Sequence, residues 1–203
     1  MPFKKLHASI KEALERLEIE SATPFQEKAI PKIKSGSNVF GIAPKGSGKT
    51  TTMILNTLHK LQCKAIGDAP RAVVIIENKE KAIALHSKFL EYTKYTDLRV
   101  YMGYEELHID VQKSEIFMGI DILISTPKNI HKLFLTNGVS ISQLKILFVD
   151  DADFLLQRKE LSSLTTTSES IKKCQYVIFA EQLNPRLEKL KNYFMTNAAL
   201  VKI

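Results

Sequence analysis

The residues with the clearest chemical potential lie in the segment APKGSGKT, residues 43–50. Gly46 and Gly48 allow the backbone to curl so that successive N–H groups point at a common centre. A strand-like run precedes the segment and a helical pattern follows it, so the positive end of a helix would face the same centre. A chance glycine-rich turn is the alternative. We predict that the whole segment binds nucleotide phosphates, through Ala43, Pro44, Lys45, Gly46, Ser47, Gly48, Lys49 and Thr50.

Two side chains at the end of this segment and one acidic cluster would complete the site. Lys49 is predicted to reach the outer phosphates, and Thr50 offers a hydroxyl to Mg²⁺, which prefers hard oxygen ligands and keeps several waters. The cluster VDDAD, residues 149–153, follows a strand-like run. Ligands bind at the carboxyl ends of strands in open α/β sheets, so Asp150 is the expected second metal ligand. Alone, such a cluster is more often a solvated turn or a helix cap.

The elements that must position these residues are short apolar runs separated by helical patterns. Each run is apolar throughout, which is typical of strands in a parallel sheet covered by helices on both faces. The alternation predicts an α/β fold of three layers, with a mostly parallel sheet between two layers of helices. The predicted strands are Val39–Ala43, Ala72–Ile76, Arg99–Met102, Asp121–Ser125, Lys145–Val149 and Tyr176–Ala180.

Three further segments carry structural predictions. The apolar spacing between Leu6 and Leu17 predicts an amphipathic helix. A second helix is expected to begin after Thr23-Pro24 and to end near Pro31, because proline suits a first turn and breaks later ones. The run LSSLTTTSES, Leu161–Ser170, is interpreted as a mobile polar stretch.

Composition limits the class of protein. A chain of 203 residues with 44% hydrophobic and 25% charged residues is typical of a globular protein, and we expect residues 1–203 to form one domain. The net charge of +7 favours polyanions, although many basic proteins bind no nucleic acid. Cys63 and Cys174 lack metal-ligand spacing and are interpreted as reduced thiols. Without a signal sequence or an apolar run of about 20 residues, we expect a cytoplasmic protein with no membrane partner.

In their order along the chain, the motifs resemble the N-terminal RecA-like domain of DEAD-box RNA helicases. ATPFQ, residues 22–26, is similar to the family's adenine-reading segment, and VDDAD is similar to the DEAD box. The resemblance implies a RecA-like P-loop NTPase fold that binds ATP and Mg²⁺, with Phe3 stacking on adenine and Gln26 hydrogen-bonding its edge. Without the family order, Phe3 could be a core aromatic and Gln26 a solvated helix residue.

The resemblance also implies contacts with the RNA backbone. In ENKEK, where the family has PTREL, Lys79 and Glu80 keep the basic-acidic pair, and Gly103 remains from a glycine pair. Residues 124–129, ISTPKN, are similar to the TPGR element, although Thr126-Pro127 could be an ordinary helix start. Lysine replaces the planar arginine fork with a point charge, which weakens specificity more than attraction. The implied RNA-binding residues are Lys79, Gly103, Thr126, Pro127 and Lys128.

Departures from the family pattern bear on catalysis, for which the implied residues are Lys49, Asp150 and Asp151. The family has glutamate where this chain has Asp151, which is shorter by one C–C bond of roughly 1.5 Å. Because a misplacement of about 1 Å can cost about 10²-fold in rate, we expect slow ATP hydrolysis. Ala180-Glu181-Gln182 stands where the family has Ser-Ala-Thr, so coupling between ATP and RNA is expected to be altered.

The resemblance spans the first half of a helicase, so we expect the second RecA-like domain and its arginine finger to be absent and unwinding by this chain alone not to occur. Three hypotheses stay open. The chain is an ATP-dependent RNA-binding module, completed in trans by another protein. Alternatively, it is a slow ATPase that does not respond to RNA. In the third hypothesis it is a catalytically retired scaffold that binds a protein partner.

Overall fold

The computed structural model describes residues 2–156, 158–171 and 173–203, and its centre is a parallel sheet. The described residues contain seven strands, namely β1 Val39–Ile42, β2 Ala72–Ile75, β3 Val100–Gly103, β4 Ile122–Ser125, β5 Ile146–Val149, β6 Gln175–Ala180 and β7 Ala199–Lys202. Their order across the sheet is β3-β4-β2-β5-β6-β1-β7, and every pairing is parallel. This order brings the loops that follow β1, β2 and β5 to the same edge.

Helices cover both faces of the sheet. The described helices are α1 Ala8–Arg16, α2 Pro24–Lys34, α3 Lys49–Lys60, α4 Lys79–Thr93, α5 Ile109–Phe117, α6 Pro127–Leu135, α7 Arg158–Glu169 and α8 Pro185–Glu188, with 3-10 turns at Pro2–Lys5, Ala152–Leu156 and Lys189–Asn192. Helices α1 to α4 contribute to one hydrophobic cluster, and α5 to α8 contribute to the other. The predicted three-layer α/β fold is therefore confirmed.

Strand β5 shows why its sequence is apolar throughout. Ile146 and Phe148 point into the cluster that contains α1 to α4, whereas Leu147 and Val149 point into the opposite cluster. All four side chains are buried, because helices cover each face. The continuous apolar runs predicted six strands for this reason, and each predicted limit lies within one residue of the observed limit.

Helix α2 extends beyond the predicted end at Pro31. Thr23 caps the helix, and the chain continues helically through Pro31 to Lys34. Proline at this position leaves the carbonyl of Glu27 without its usual helical donor, but Glu27 and Pro31 are both exposed, so water can serve that carbonyl. Buried Ile33 holds the last turn against the core, which explains why the prediction was wrong.

The run predicted to be a mobile polar stretch is instead most of helix α7. Leu164 and Thr167 are buried, and α7 packs along α6. The hydroxyls of Thr165 and Thr167 donate to carbonyls one turn earlier, at 2.8 and 2.9 Å, so these polar side chains are satisfied within the helix. Because the run is mostly polar, its composition did not indicate that one side of the helix, which includes Leu164, is buried.

Strand β7 was not predicted, because it lies at an edge of the sheet. It pairs with β1, but Val201 is its one buried side chain. The sequence contains a short apolar run here, at residues 198–201, but Leu200 within it is exposed, so the run does not mark a strand buried on both faces. No helix in the described parts of the chain has the length and apolar character needed to cross a membrane.

A buried carboxylate joins three strands at their amino ends. Asp121, which precedes β4, is fully buried and accepts hydrogen bonds from Arg71 at 2.6 Å and from the Nε of Arg99 at 2.9 Å. Arg71 precedes β2 and Arg99 precedes β3. Burial alone would raise the pKa of Asp121, but the hydrogen bonds from Arg99 and Arg71, with two from backbone N–H groups, hold it below its usual value.

Candidate nucleotide and nucleic-acid site

The predicted phosphate loop connects β1 to α3 at the carboxyl edge of the sheet. Gly46 and Gly48 have φ values of 78° and 90°, a left-handed conformation that favours glycine. A Cβ on Gly48 would also lie 2.7 Å from the Nε2 of Gln26, whereas a Cβ on Gly46 would meet nothing within 4 Å. Backbone shape therefore requires glycine at both positions, and close packing requires it at Gly48.

The ammonium group of Lys49 lies at the centre of this loop. The residue is 5% exposed and donates to the carbonyls of Ala43 at 2.7 Å and Pro44 at 3.0 Å. Its Nζ is also 3.9 Å from Oδ1 of Asp151. The loop thus folds around its own lysine, and an anion that entered would compete with these oxygen atoms for the same cation.

Asp150 and Thr50 meet beside the loop, 100 residues apart in sequence. The hydroxyl of Thr50 donates to Oδ2 of Asp150 at 3.1 Å, and Oδ1 is buried without a hydrogen-bond partner. Burial raises the pKa of Asp150 to about 6, and the charge of Asp151 adds to this effect. An unpartnered carboxylate oxygen next to a hydroxyl is the type of donor set that a hard cation such as Mg²⁺ prefers.

This donor set would form only part of a metal coordination sphere. Within the three described ranges, no group of three or more His, Cys, Asp or Glu side chains is placed to hold a metal ion. Mg²⁺ usually takes one or two carboxylates and completes its six positions with waters and substrate phosphates. The hydroxyl of Thr50 and the carboxylate of Asp150 therefore fit a cation that arrives with a nucleotide.

Asp151 lies between two lysines. Its Oδ1 faces Lys49 at 3.9 Å and its Oδ2 faces Lys81 at 3.7 Å, and its φ of 48° turns the chain sharply after β5. Lys81 belongs to α4 and also pairs with Glu77 at 3.0 Å. Neither Lys81 nor Glu77 could be selected as a site residue from the sequence alone. The segment ENKEK follows β2, but this places it near Asp151 only if β2 lies next to β5, and that pairing is seen only in the structure.

Gln26 packs against the phosphate loop and forms hydrogen bonds next to it. It is 3% exposed; its Oε1 accepts from the N–H of Thr23 at 2.9 Å, and its Nε2 reaches the carbonyl of Gly48 at 3.5 Å. Thr23 in turn donates to the carbonyl of Ser47 at 2.6 Å. Gln26 is therefore not a solvated helix residue. Its contact with adenine stays a prediction, and that contact would require the amide to exchange its present partners.

Phe3 lies on the wall of a cleft of about 1010 Å³ formed by the first part of the chain. The cleft is lined by residues between Pro2 and Glu27, including Ala22 from the predicted adenine-reading segment. Phe3 is half-buried and packs against the core cluster beside α1 and α2. The structure thus brings Phe3 and Ala22 to one cleft, and stacking of Phe3 on adenine stays a prediction.

Of the three RNA-binding residues predicted within residues 124–129, two are internal. Thr126 is 2% exposed and caps α6, and its hydroxyl donates to Oε2 of Glu105 at 2.8 Å. Pro127 is buried in the first turn. Lys128 is exposed, but it is paired with Glu160 at 2.7 Å, which raises the pKa of Lys128. Binding of RNA by this segment stays a prediction, and both acidic partners would oppose it.

Gly103 and Lys79 lie at the same edge of the sheet. A Cβ on Gly103 would stand 2.4 Å from Oε1 of Gln112 and 2.9 Å from Nδ2 of Asn129, so the close packing of two buried amides requires glycine here. Lys79 opens α4, with its Nζ 5.3 Å from the ring centroid of Tyr104. Because β3, β4 and β2 are neighbours, the three predicted RNA-binding segments converge although their side chains are differently exposed.

The sequence is similar to helicase sequences. A family model described as DEAD/DEAH box helicase matches residues 23–182. Curated relatives named ATP-dependent RNA helicase RhlB, from Yersinia pestis and Yersinia pseudotuberculosis, are 28% identical over 206 residues, which is 98% of this chain and 48% of each relative. The chain therefore spans about half the length of the curated relatives it matches.

The fold is similar to those of solved helicase-like proteins. A hypothetical ATP-dependent RNA helicase from Sulfolobus tokodaii superposes with a TM-score of 0.84 at 20% identity, over 96% of this chain and 56% of that chain. A DEAD box protein from the hyperthermophile Methanococcus jannaschii superposes with a TM-score of 0.87 at 19% identity, over 98% of this chain and 54% of that chain. These likenesses support the RecA-like fold. With the family match over residues 23–182, they lead to one conclusion: this chain belongs to the DEAD/DEAH box helicase family.

Proposed function

We propose that this chain is a helicase-family domain that binds ATP with Mg²⁺ and binds RNA, hydrolyses ATP slowly or not at all, and does not unwind RNA by itself. One observation carries the nucleotide assignment: a loop lysine, a hydroxyl and a buried carboxylate with an unpartnered oxygen meet at the carboxyl edge of the sheet. These are Lys49, Thr50 and Asp150. A second RecA-like domain from outside these 203 residues, in trans or on a longer chain, would be the partner for unwinding.

Phosphate binding would exchange one set of contacts for another. Lys49 would leave the carbonyls of Ala43 and Pro44 and donate to phosphate oxygens, while the N–H groups of residues 46–50 and the positive end of α3 face the same anion. Thr50 and Asp150 would supply two oxygen ligands to Mg²⁺. When bound, the metal would polarise the terminal phosphate and offset its charge.

The geometry around Asp151 supports slow hydrolysis. A residue that positions an attacking water must reach that water, but Asp151 is one C–C bond shorter than glutamate and stays paired with Lys81 when Lys49 turns to the phosphates. The chain would therefore bind the nucleotide more effectively than it hydrolyses it.

A second candidate is a slow ATPase that does not respond to RNA. Glu181, in the position of the family's Ser-Ala-Thr element, pairs with Lys45 of the phosphate loop at 3.6 Å. A carboxylate there replaces hydroxyls that could have joined nucleotide state to RNA. In this case RNA would leave both ATP affinity and turnover unchanged.

Calorimetric titration of Mg-ATP into the wild type and Lys49→Ala, each with and without single-stranded RNA, tests the proposal. We expect Lys49→Ala to weaken ATP binding by about 10- to 100-fold, since it removes charge-assisted hydrogen bonds. RNA should tighten ATP binding to the wild type, whereas no effect of RNA favours the second candidate. Lys88→Ala, on the exposed face of α4, is the matched loss of one charge. No measurable affinity of the wild type for Mg-ATP would refute the proposal.

A further inference from the structure

Lys81 is a second cation near the phosphate loop, and none of the motifs accounts for it. Its Nζ lies 3.7 Å from Oδ2 of Asp151 and 3.0 Å from Oε2 of Glu77, and its side chain is 42% exposed. Glu77, Asp151 and Asp150 raise the pKa of Lys81 against the lowering effect of partial burial, so it stays charged at neutral pH. The helix that carries it is anchored by buried Ala82 and Leu85, which fixes where the side chain starts.

The charged side chains of the nucleotide-free site form a row in which positive and negative groups alternate. Asp151 bridges Lys49 and Lys81, and Lys81 bridges Asp151 and Glu77. Asp150 adds a third carboxyl group, with an oxygen that has no protein partner. Without Lys81, the loop after β5 would present two carboxylates to an incoming phosphate, with Lys49 alone to offset them.

Binding of a phosphate would change the ion pairs of Asp151. If Lys49 turns to the phosphates, its interaction with Asp151 at 3.9 Å weakens. Among the described residues, Lys81 is then the remaining ion-pair partner of Asp151. A carboxylate without such a partner would repel the phosphate across a partly buried site, where charges are poorly screened.

We propose that Lys81 is a positioning residue for nucleotide binding, which acts by neutralising Asp151 while Lys49 is engaged by phosphate. This inference rests on the proposed binding of ATP at residues 43–50. It predicts that the contribution of Lys81 to ATP affinity depends on the charge of Asp151. A direct contact between Lys81 and the phosphates would not show this dependence.

A double-mutant cycle measured by calorimetry with Mg-ATP tests the inference. The variants are Lys81→Met, Asp151→Asn and the double variant. We expect Lys81→Met to weaken binding about tenfold in the wild-type background and less than about twofold in the Asp151→Asn background. Asparagine keeps the left-handed backbone that position 151 needs, so the second background removes charge while retaining shape.

Two controls separate a local charge effect from a loss of structure. Lys81→Arg keeps the charge and should bind ATP within about twofold of the wild type, and Lys88→Met removes one charge from the exposed face of the same helix and should do the same. Circular dichroism melting of each variant establishes that it is folded before titration. A folded Lys81→Met variant that Lys81→Arg rescues supports the inference.

Three results would overturn it. Equal affinity of Lys81→Met and the wild type shows that Lys81 does not contribute, while the proposed ATP binding stands. An equal loss in both backgrounds shows that Lys81 acts directly rather than through Asp151. Absence of ATP binding by the wild type refutes the proposed function and this inference together.

Discussion

Asp150→Asn is expected to stabilise the nucleotide-free protein while it removes one proposed ligand of Mg²⁺. Burial and the charge of Asp151 raise the pKa of Asp150 from 3.8 to about 6 in the folded state. The folded state therefore binds this proton more tightly than the unfolded state does. The free energy of unfolding should then fall as the pH rises from about 4 to beyond 6.

The magnitude follows from the size of the shift. Two pKa units correspond to about 3 kcal/mol of unfolding free energy at neutral pH. Asparagine removes the charge and keeps an oxygen that can accept from Thr50, but it leaves an amide N–H₂ group where Oδ1 has no partner. The net gain in stability at pH 7.5 should therefore be about 1–2 kcal/mol.

Urea unfolding from pH 5 to pH 7.5, in buffer containing a metal chelator and no nucleotide, measures this effect. The wild type should lose stability with rising pH relative to Asp150→Asn. In a second series without chelator, Mg-ATP should stabilise the wild type but not the variant. Asp68→Asn, at a carboxylate that is 84% exposed, is the matched control. Parallel pH profiles for the wild type and Asp150→Asn, with no stabilisation at pH 7.5, would refute the assignment of a buried ionised carboxylate.

Three further predictions concern hydrolysis, stability and RNA. Asp151→Glu should raise ATP turnover, by up to about 10²-fold if the shortened side chain limits the rate, and steady-state phosphate release with no gain would contradict this. Asp121→Asn should lower the free energy of unfolding by about 3–5 kcal/mol, because it leaves the buried Arg71 without its counterion; a loss below about 1 kcal/mol in urea would be inconsistent with the pair. Glu160→Gln should tighten binding of single-stranded RNA about two- to threefold at low salt by releasing Lys128, as measured by fluorescence anisotropy, and unchanged affinity would argue against contact there.

The fold could be predicted where burial requires a recognisable pattern of apolar residues. Strands covered on both faces, such as β5, must be apolar at every position, so their runs stand out. Edge strand β7 overlaps the short apolar run at residues 198–201, but it buries Val201 alone, so the run lacks the continuous burial of a central strand. Helix α7 satisfies its hydroxyls internally, so its polar composition did not indicate a helix. The prediction that α2 ends at Pro31 was wrong because proline's cost depends on whether the freed carbonyl can reach water.

The candidate site could be predicted where its chemistry is local. The loop containing Lys49 and Thr50 is a contiguous motif, and the rule that ligands meet at the carboxyl ends of strands was enough to bring Asp150 to it. Lys81 could not be found in this way, because its ion pair with Asp151 depends on β2 lying beside β5, an adjacency that chain order does not specify. Gln26 was predicted as a ligand-facing residue, whereas its present partners belong to the protein.

The ion pairs of Asp121 with Arg71 and Arg99 are expected to make the amino end of the sheet more rigid than the carboxyl end. One carboxylate pins three neighbouring strands at their amino ends through buried or half-buried guanidinium groups, far from the loops that would meet a nucleotide. We therefore expect rearrangement on ligand binding to occur at the carboxyl edge, where the contacts are hydrogen bonds to loop carbonyls and ion pairs. With the amino ends of the strands held in place, the loops and ion pairs at the carboxyl edge can change while the strands keep their order.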